Sequence, residues 1–142
     1  MANIGMEFRK YVVAQSGVSA LISTRMYPDE LPQNAQLPAV RYRVINSAPA
    51  ADLADGDANF AETVIEVACY ADTQIAAHSV ANAIRKGVPM QGFKGTMGGI
   101  WVYGCHPENA QEFRTDPPTD GSDKRRYIIQ HDYRIASTDP AG

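Results

Sequence analysis

The side chains most often recruited for chemistry are sparse in this sequence. Its three histidines are His78, His106 and His131. None has a Cys, His or acidic partner at metal-ligand spacing. The local pattern puts His78 on the polar side of a helix and His131 on a strand face with Tyr127 and Tyr133. Cys69 and Cys105 fall on apolar strand faces, where buried free thiols are expected rather than a disulfide. Asp55, Asp57, Asn59 and Glu66 imitate positions 1, 3, 5 and 12 of a calcium loop, but the sixth position, which must be Gly to turn sharply, is Phe60. Gly92, Gly95, Gly98 and Gly99 lack the Gly-Lys-Ser/Thr ending of a phosphate loop, and Lys94 comes too early. There is no Gly-x-Ser-x-Gly elbow and no Cys/His nucleophile pairing. These residues predict no metal, no cofactor and no catalytic group, so an enzyme is not expected.

The elements that would position such residues are easier to read. Ile4, Phe8, Tyr11, Val12 and Gln15 recur at helical spacing over residues 3–15, with Asn3 as a cap. Ser16-Gly17 interrupts the pattern, and Val18, Leu21 and Ile22 continue an apolar stripe in a short further turn. Pro28, Pro32 and Pro38 make residues 27–38 an extended connection. Val40, Tyr42 and Val44 alternate with Arg41 and Arg43 as in a half-buried strand. Residues 46–58 are small, acidic and Gly/Pro-bearing, and read as a long mobile loop. In the strand 60–71, Thr63, Ile65, Val67 and Cys69 share one face. Residues 73–87 are the clearest helix: Ile75, Ala76, Ser79, Val80, Ala83 and Ile84 form the expected apolar stripe, Asp72 the cap, and Gly87 with Pro89 the stop. Residues 88–99 read as a flexible connector, Ile100–Cys105 as a strand, 106–123 as a long polar loop, and Tyr127–Ile135 as the last strand.

The order α-β-β-α-β-β predicts an α+β fold: one mainly antiparallel four-stranded sheet with two helices on one face. Residues 1–136 make the expected single domain and 137–142 a frayed C-terminal tail. Arg41, Arg43, Glu62, Glu66, Arg126 and Arg134 fall on the other face, which is therefore expected to be wet or to contact something polar. No long amphipathic hairpin is evident, and there is no internal repeat.

Composition narrows the class. At 142 residues and 44% hydrophobic, the chain is long enough for its own core without staples. A net charge of −3 argues against a general polyanion binder. Residues 48–72, however, hold six acids (Asp52, Asp55, Asp57, Glu62, Glu66, Asp72) and no base, while residues 73–106 hold only the bases Arg85, Lys86 and Lys94. No apolar run approaches the roughly 20 residues of a membrane span. Glu7, Arg9 and Lys10 interrupt the apolar core that a signal peptide needs, which predicts a cytoplasmic origin.

One stretch carries a resemblance. Arg25-Met26-Tyr27-Pro28, Leu31-Pro32-Gln33 and Leu37-Pro38-Ala39-Val40-Arg41-Tyr42 follow in order, before the strand Thr63–Ala71, the helix Asp72–Val88 and the strand Tyr127–Ile135. This succession resembles the tail-completion, or tail terminator, proteins of long-tailed bacteriophages, and it spans roughly residues 4–136. The signature residues Arg25, Tyr27, Pro28, Leu31, Pro32, Pro38 and Tyr42 read as fold-defining: the prolines hold a connector extended and the apolar groups anchor it.

The resemblance implies structural work in the virion at the tail–neck junction, after assembly in a host bacterial cytoplasm. Family members form a homo-oligomeric ring, usually of six subunits, that caps the finished tail tube and stops its polymerisation. The ring offers the surface on which the head joins and lets DNA pass through its central hole. The implied partners are other copies of the chain, the tail tube protein, the head–tail connector or stopper protein, and DNA in transit, with no membrane. A DNA conduit should not grip phosphate, so Asp52, Asp55 and Asp57 are expected at the channel or an adjoining ring. Arg85, Lys86 and Lys94 are the expected cations of a subunit interface. The alternatives are another connector ring or a tail-tube-like subunit, the latter disfavoured by the lack of a hairpin. A small-molecule-binding domain or enzyme would need a pocket with converging polar groups, to which no local motif points.

Overall fold

The computed structural model describes residues 4–32, 35–49, 60–87, 93–97, 100–116 and 126–138. Its elements are α1 (Ile4–Val13), α2 (Ser16–Ile22), β1 (Met26–Pro28), β2 (Ala39–Pro49), β3 (Phe60–Ala71), α3 (Gln74–Gly87), β4 (Phe93–Met97), β5 (Ile100–Asp116) and β6 (Arg126–Thr138). One six-stranded sheet has the order β1-β2-β3-β6-β5-β4. Every neighbouring pair is antiparallel except β1–β2, which is parallel. The expected α+β class is therefore correct. The expected four strands and two helices are corrected to six strands and three helices, and the order gains α2, β1 and β4.

All three helices cover one face of the sheet. The core joins Ile4, Phe8 and Val12 of α1, Val18 and Ile22 of α2, and Val80 and Ile84 of α3 to the inward side chains of the strands. Alternation does the sorting within the sheet: Thr63, Ile65, Val67 and Cys69 are fully buried on the helix side. Phe8 meets Tyr133 at 5.5 Å between ring centroids. The Tyr11 hydroxyl donates to the Gly87 carbonyl at 2.5 Å and ties α1 to the end of α3.

Two details of α3 differ from expectation. Thr73, not Asp72, caps it: its hydroxyl accepts from the Ala76 N–H at 3.1 Å. The buried stripe is Ala77, Val80, Ala81 and Ile84, whereas Ile75 is 80% exposed. The two alanines let the helix lie close to the sheet, and that closeness selects the face over the larger Ile75.

Strand ends differ more. Residues 46–49, expected in a loop, continue β2, which pairs with β3 to Pro49↔Ala61 past a bulge between Val44 and Asn46. Residues 106–116, also expected in a loop, continue β5, which pairs with β6 to Asp116↔Arg126. The connector 88–99 contains β4. β6 runs to Thr138, past its expected end at Ile135. β5 and β6 thus form the long hairpin that the sequence pattern had not revealed.

Candidate functional site

No described residues assemble a chemical site. Among them, no group of His, Cys, Asp and Glu is placed to hold a metal ion. Cys69 and Cys105 are buried free thiols, and burial pushes Cys105 up to about 12. His106 is exposed, while His131 is buried and hydrogen-bonded through Nε2 to the Tyr133 hydroxyl at 2.9 Å. Burial, helped by the charge of Arg85, lowers His131 to about 4, so it is neutral near neutral pH. His131 Nδ1 is buried without a hydrogen-bond partner.

The signature residues form a brace around the β1–β2 edge. Arg25 donates from Nε to the Pro38 carbonyl at 3.0 Å and from Nη2 to the Leu21 carbonyl at 3.2 Å. Arg9, from α1, donates to the carbonyls of Met26 (2.6 Å) and Thr24 (2.9 Å). Two guanidinium forks thus fix a three-residue strand that is too short to hold itself. At Asp29 the backbone turns through φ 66°, and its N–H donates to the Tyr42 carbonyl at 2.8 Å. The chain after Pro28 then crosses to the face away from the helices. There Leu31 and Leu37 pack on Ala68, Tyr70 and Ile128. Tyr27 and Pro38 are partly exposed and Pro28 and Pro32 exposed, while Tyr42 is buried in the main core. This packing explains the fold-defining reading of the signature.

The outer face, expected to be wet or to contact something polar, carries a built polar network. Glu66 is nearly buried and accepts from Arg41 at 2.9 Å, Arg43 at 3.2 Å and Gln130 at 3.1 Å. Burial alone would lower the Arg41 guanidinium, but its hydrogen bonds to Tyr70 and Glu66 outweigh this and leave it raised. Arg126 stacks over the Tyr70 ring at 5.5 Å, and Arg134 pairs with Glu62.

The expected contact residues are not gathered in one place. Asp52, Asp55 and Asp57 lie outside the described residues. Arg85 is half-buried at the end of α3 and its charge is felt by His131. Lys86 lines a groove of about 560 Å³ between α2 and α3, with Gln15, Leu21, Asn82 and Gly87. Lys94 falls in the edge strand β4, and its side chain is not among the described ones. Sequence reasoning missed a hollow of about 550 Å³ beside the end of β1, lined by Met6, Arg9, Lys10, Tyr42, Arg43 and Val44.

Comparison with known proteins places this architecture. Among curated proteins, no sequence matches the chain. Solved structures share its fold, among them two that cover nearly the whole chain. One belongs to the virion of a native gene transfer agent particle: 14% identity, TM-score 0.55, covering 91% of each chain. A second has 16% identity and a TM-score of 0.51, covering 92% of this chain and 94% of the other. No helix among the described residues is long and apolar enough to cross a membrane. The family model "Tail completion protein gp17" matches residues 8–101, more than half of the sequence and the part that contains the whole brace. The chain therefore belongs to the phage tail-completion family, whose members are structural virion proteins and not enzymes.

Proposed function

We propose that this structural tail protein is the terminator of the tail tube: a ring-forming subunit that caps the finished tube, stops its growth and presents the joining surface for the head. The observation that carries this reading is the family match over residues 8–101, which includes the brace and the two strands it supports. The architecture suits a ring, because a heterologous contact between identical subunits closes only when each subunit offers two different surfaces. Both edges of this sheet end in short strands that leave longer neighbours partly open. Six subunits, a position at the tail–neck junction, and the tube and connector proteins as neighbours belong to the same proposal.

Charge fits a channel through which DNA moves without being held. Each Lys or Arg on a phosphate adds salt-sensitive affinity, so a conduit works better with acids. We place Asp52, Asp55 and Asp57 at the channel or an adjoining ring on this ground, and Arg85, Lys86 and Lys94 at a contact with a neighbouring subunit. The long β5–β6 hairpin favours a second reading, a tube-like subunit, since a tube wall needs such an element. Immunogold labelling of intact particles separates the two. A terminator is labelled only at the head-proximal end of the tail; label along the whole tail would establish the tube reading instead.

A further inference from the structure

The two edges of the sheet are stepped, and the steps match. β1 pairs with β2 only from Val40 to Tyr42, so Arg43–Pro49 has no described strand on its outer side. At the opposite edge, β4 pairs with β5 only between Ile100 and Cys105, so His106–Asp116 is open in the same sense. Unpaired backbone donors and acceptors along such an edge are a template for another strand.

Following the register across the sheet shows how the steps relate. Met26 of β1 lies in one row with Val40, Cys69, Ile129 and Phe113. Phe93 of β4 lies in another with Cys105, Ile135, Thr63 and Ser47. β1 therefore occupies rows in which β5 is open, and β4 rows in which β2 is open. The rows of Arg43, Val44 and Asn46 separate them and are covered at neither edge. Direction agrees as well: alternation from β2 through β3, β6 and β5 makes β4 run the same way as β2, and β1 is parallel to β2. When two copies stand side by side in the same orientation, β4 of one and β1 of the next fit into one strand column, end to end and co-directional.

The side chains fit this arrangement. Among the described residues, seven large hydrophobics are exposed, and five of them flank these two edges: Met6, Val44 and Ile45 by β2, Trp101 and Tyr103 on β5 beside β4, each between 38% and 53% exposed. The other two described ones are Leu21 and Ile75. Lys10 and Arg43 stand exposed at the β2 edge.

We infer that the occupant of each edge is a second copy of this chain, docked head to tail so that β4 of one subunit and β1 of the next complete a shared strand column between β5 and β2. This rests on the ring reading and names the surfaces that would close the ring. Main-chain hydrogen bonds supply the join, and the hollow at Met6, Lys10, Arg43 and Val44 receives side chains from the neighbour.

The test uses the full chain, its mass in solution, and two variants. One carries Val44→Asp with Ile45→Asp at the β2 edge; the other carries Trp101→Asp with Tyr103→Asp at the β5 edge. Wild type is expected to form rings, and each variant alone to be monomeric. An equimolar mixture should give dimers and nothing larger, because only one intact edge remains on each partner. Circular dichroism checks folding; should an aspartate pair unfold the chain, Ile45→Ser and Trp101→Ser are compared in the same way. Rings that persist in both variants would overturn the edge assignment while leaving the ring reading intact. So would a monomeric mixture, or variants that dimerise by themselves. A wild-type chain that stays monomeric at its highest soluble concentration would instead defeat the ring reading.

Discussion

His131 shows how a residue that looks chemical can be structural. It sits beneath α3 with the Tyr133 hydroxyl on Nε2 and no hydrogen-bond partner on Nδ1, and burial holds its ring neutral down to about pH 4. In the unfolded chain a histidine takes up its proton near pH 6.5. The native state therefore binds fewer protons between these values, and the stability due to neutral His131 is complete above about pH 6.5 and lost as pH falls toward 4. Denaturant unfolding at pH 7.5 and pH 5, followed by fluorescence, should show lower stability at the acid pH, and His131→Gln should shrink the difference. An equal loss in the variant would assign the effect to other groups. Glu66 makes a second case. Its carboxylate accepts from Arg41, Arg43 and Gln130. Removing one partner of a nearly buried pair leaves an uncompensated charge, so Glu66→Ala should cost about 3 kcal/mol, read as a shift in the denaturation midpoint. A loss no larger than that of an exposed ion pair would contradict this.

At the scale of elements, the brace decides where the sheet begins. Arg9 and Arg25 each donate to two backbone carbonyls, and lysine cannot reproduce such a fork. Arg25→Lys should therefore lower stability by about 1.5–3 kcal/mol, the range for hydrogen bonds to charged groups, and should raise amide exchange at Met26 and Val40 more than in α3. Uniform exchange changes would contradict a local role. For the helix, Thr73→Ala should cost about 1 kcal/mol, while Asp72→Ala should cost less, because Thr73 makes the capping bond. Much at this scale was legible in the sequence. Alternation at Val40 and Tyr42 and from Thr63 to Cys69 told which side chains enter the core, since the pleat enforces a period of two, whereas Val44, in the same alternation, lies exposed past the end of β1. The proline-punctuated connector was expected to be extended, but only its start is strand: the chain turns at Asp29 and again between Pro32 and Ala35. What was not legible is what side chains do not encode. Asn46–Pro49 and Glu108–Asp116 are strand because a facing strand supplies backbone partners, not because their own residues favour the conformation. The face of α3 was misjudged because packing distance, which favours Ala77 and Ala81, overrode the size of Ile75. The hollow beside β1 depends on where a three-residue strand stops, which no local pattern marks.

At the scale of the whole molecule, a tail-completion fold, a sheet with two stepped edges and an uneven charge meet in one structural part of a virion. The proposed function is that this chain ends the growth of the tail. Tail lengths in particles made without the gene test that claim most directly, measured by electron microscopy of negatively stained lysates. Without the gene, tails should grow past their normal length and fail to join heads, with both defects reversed when the gene is supplied in trans. Tails of normal length attached to filled heads would contradict it.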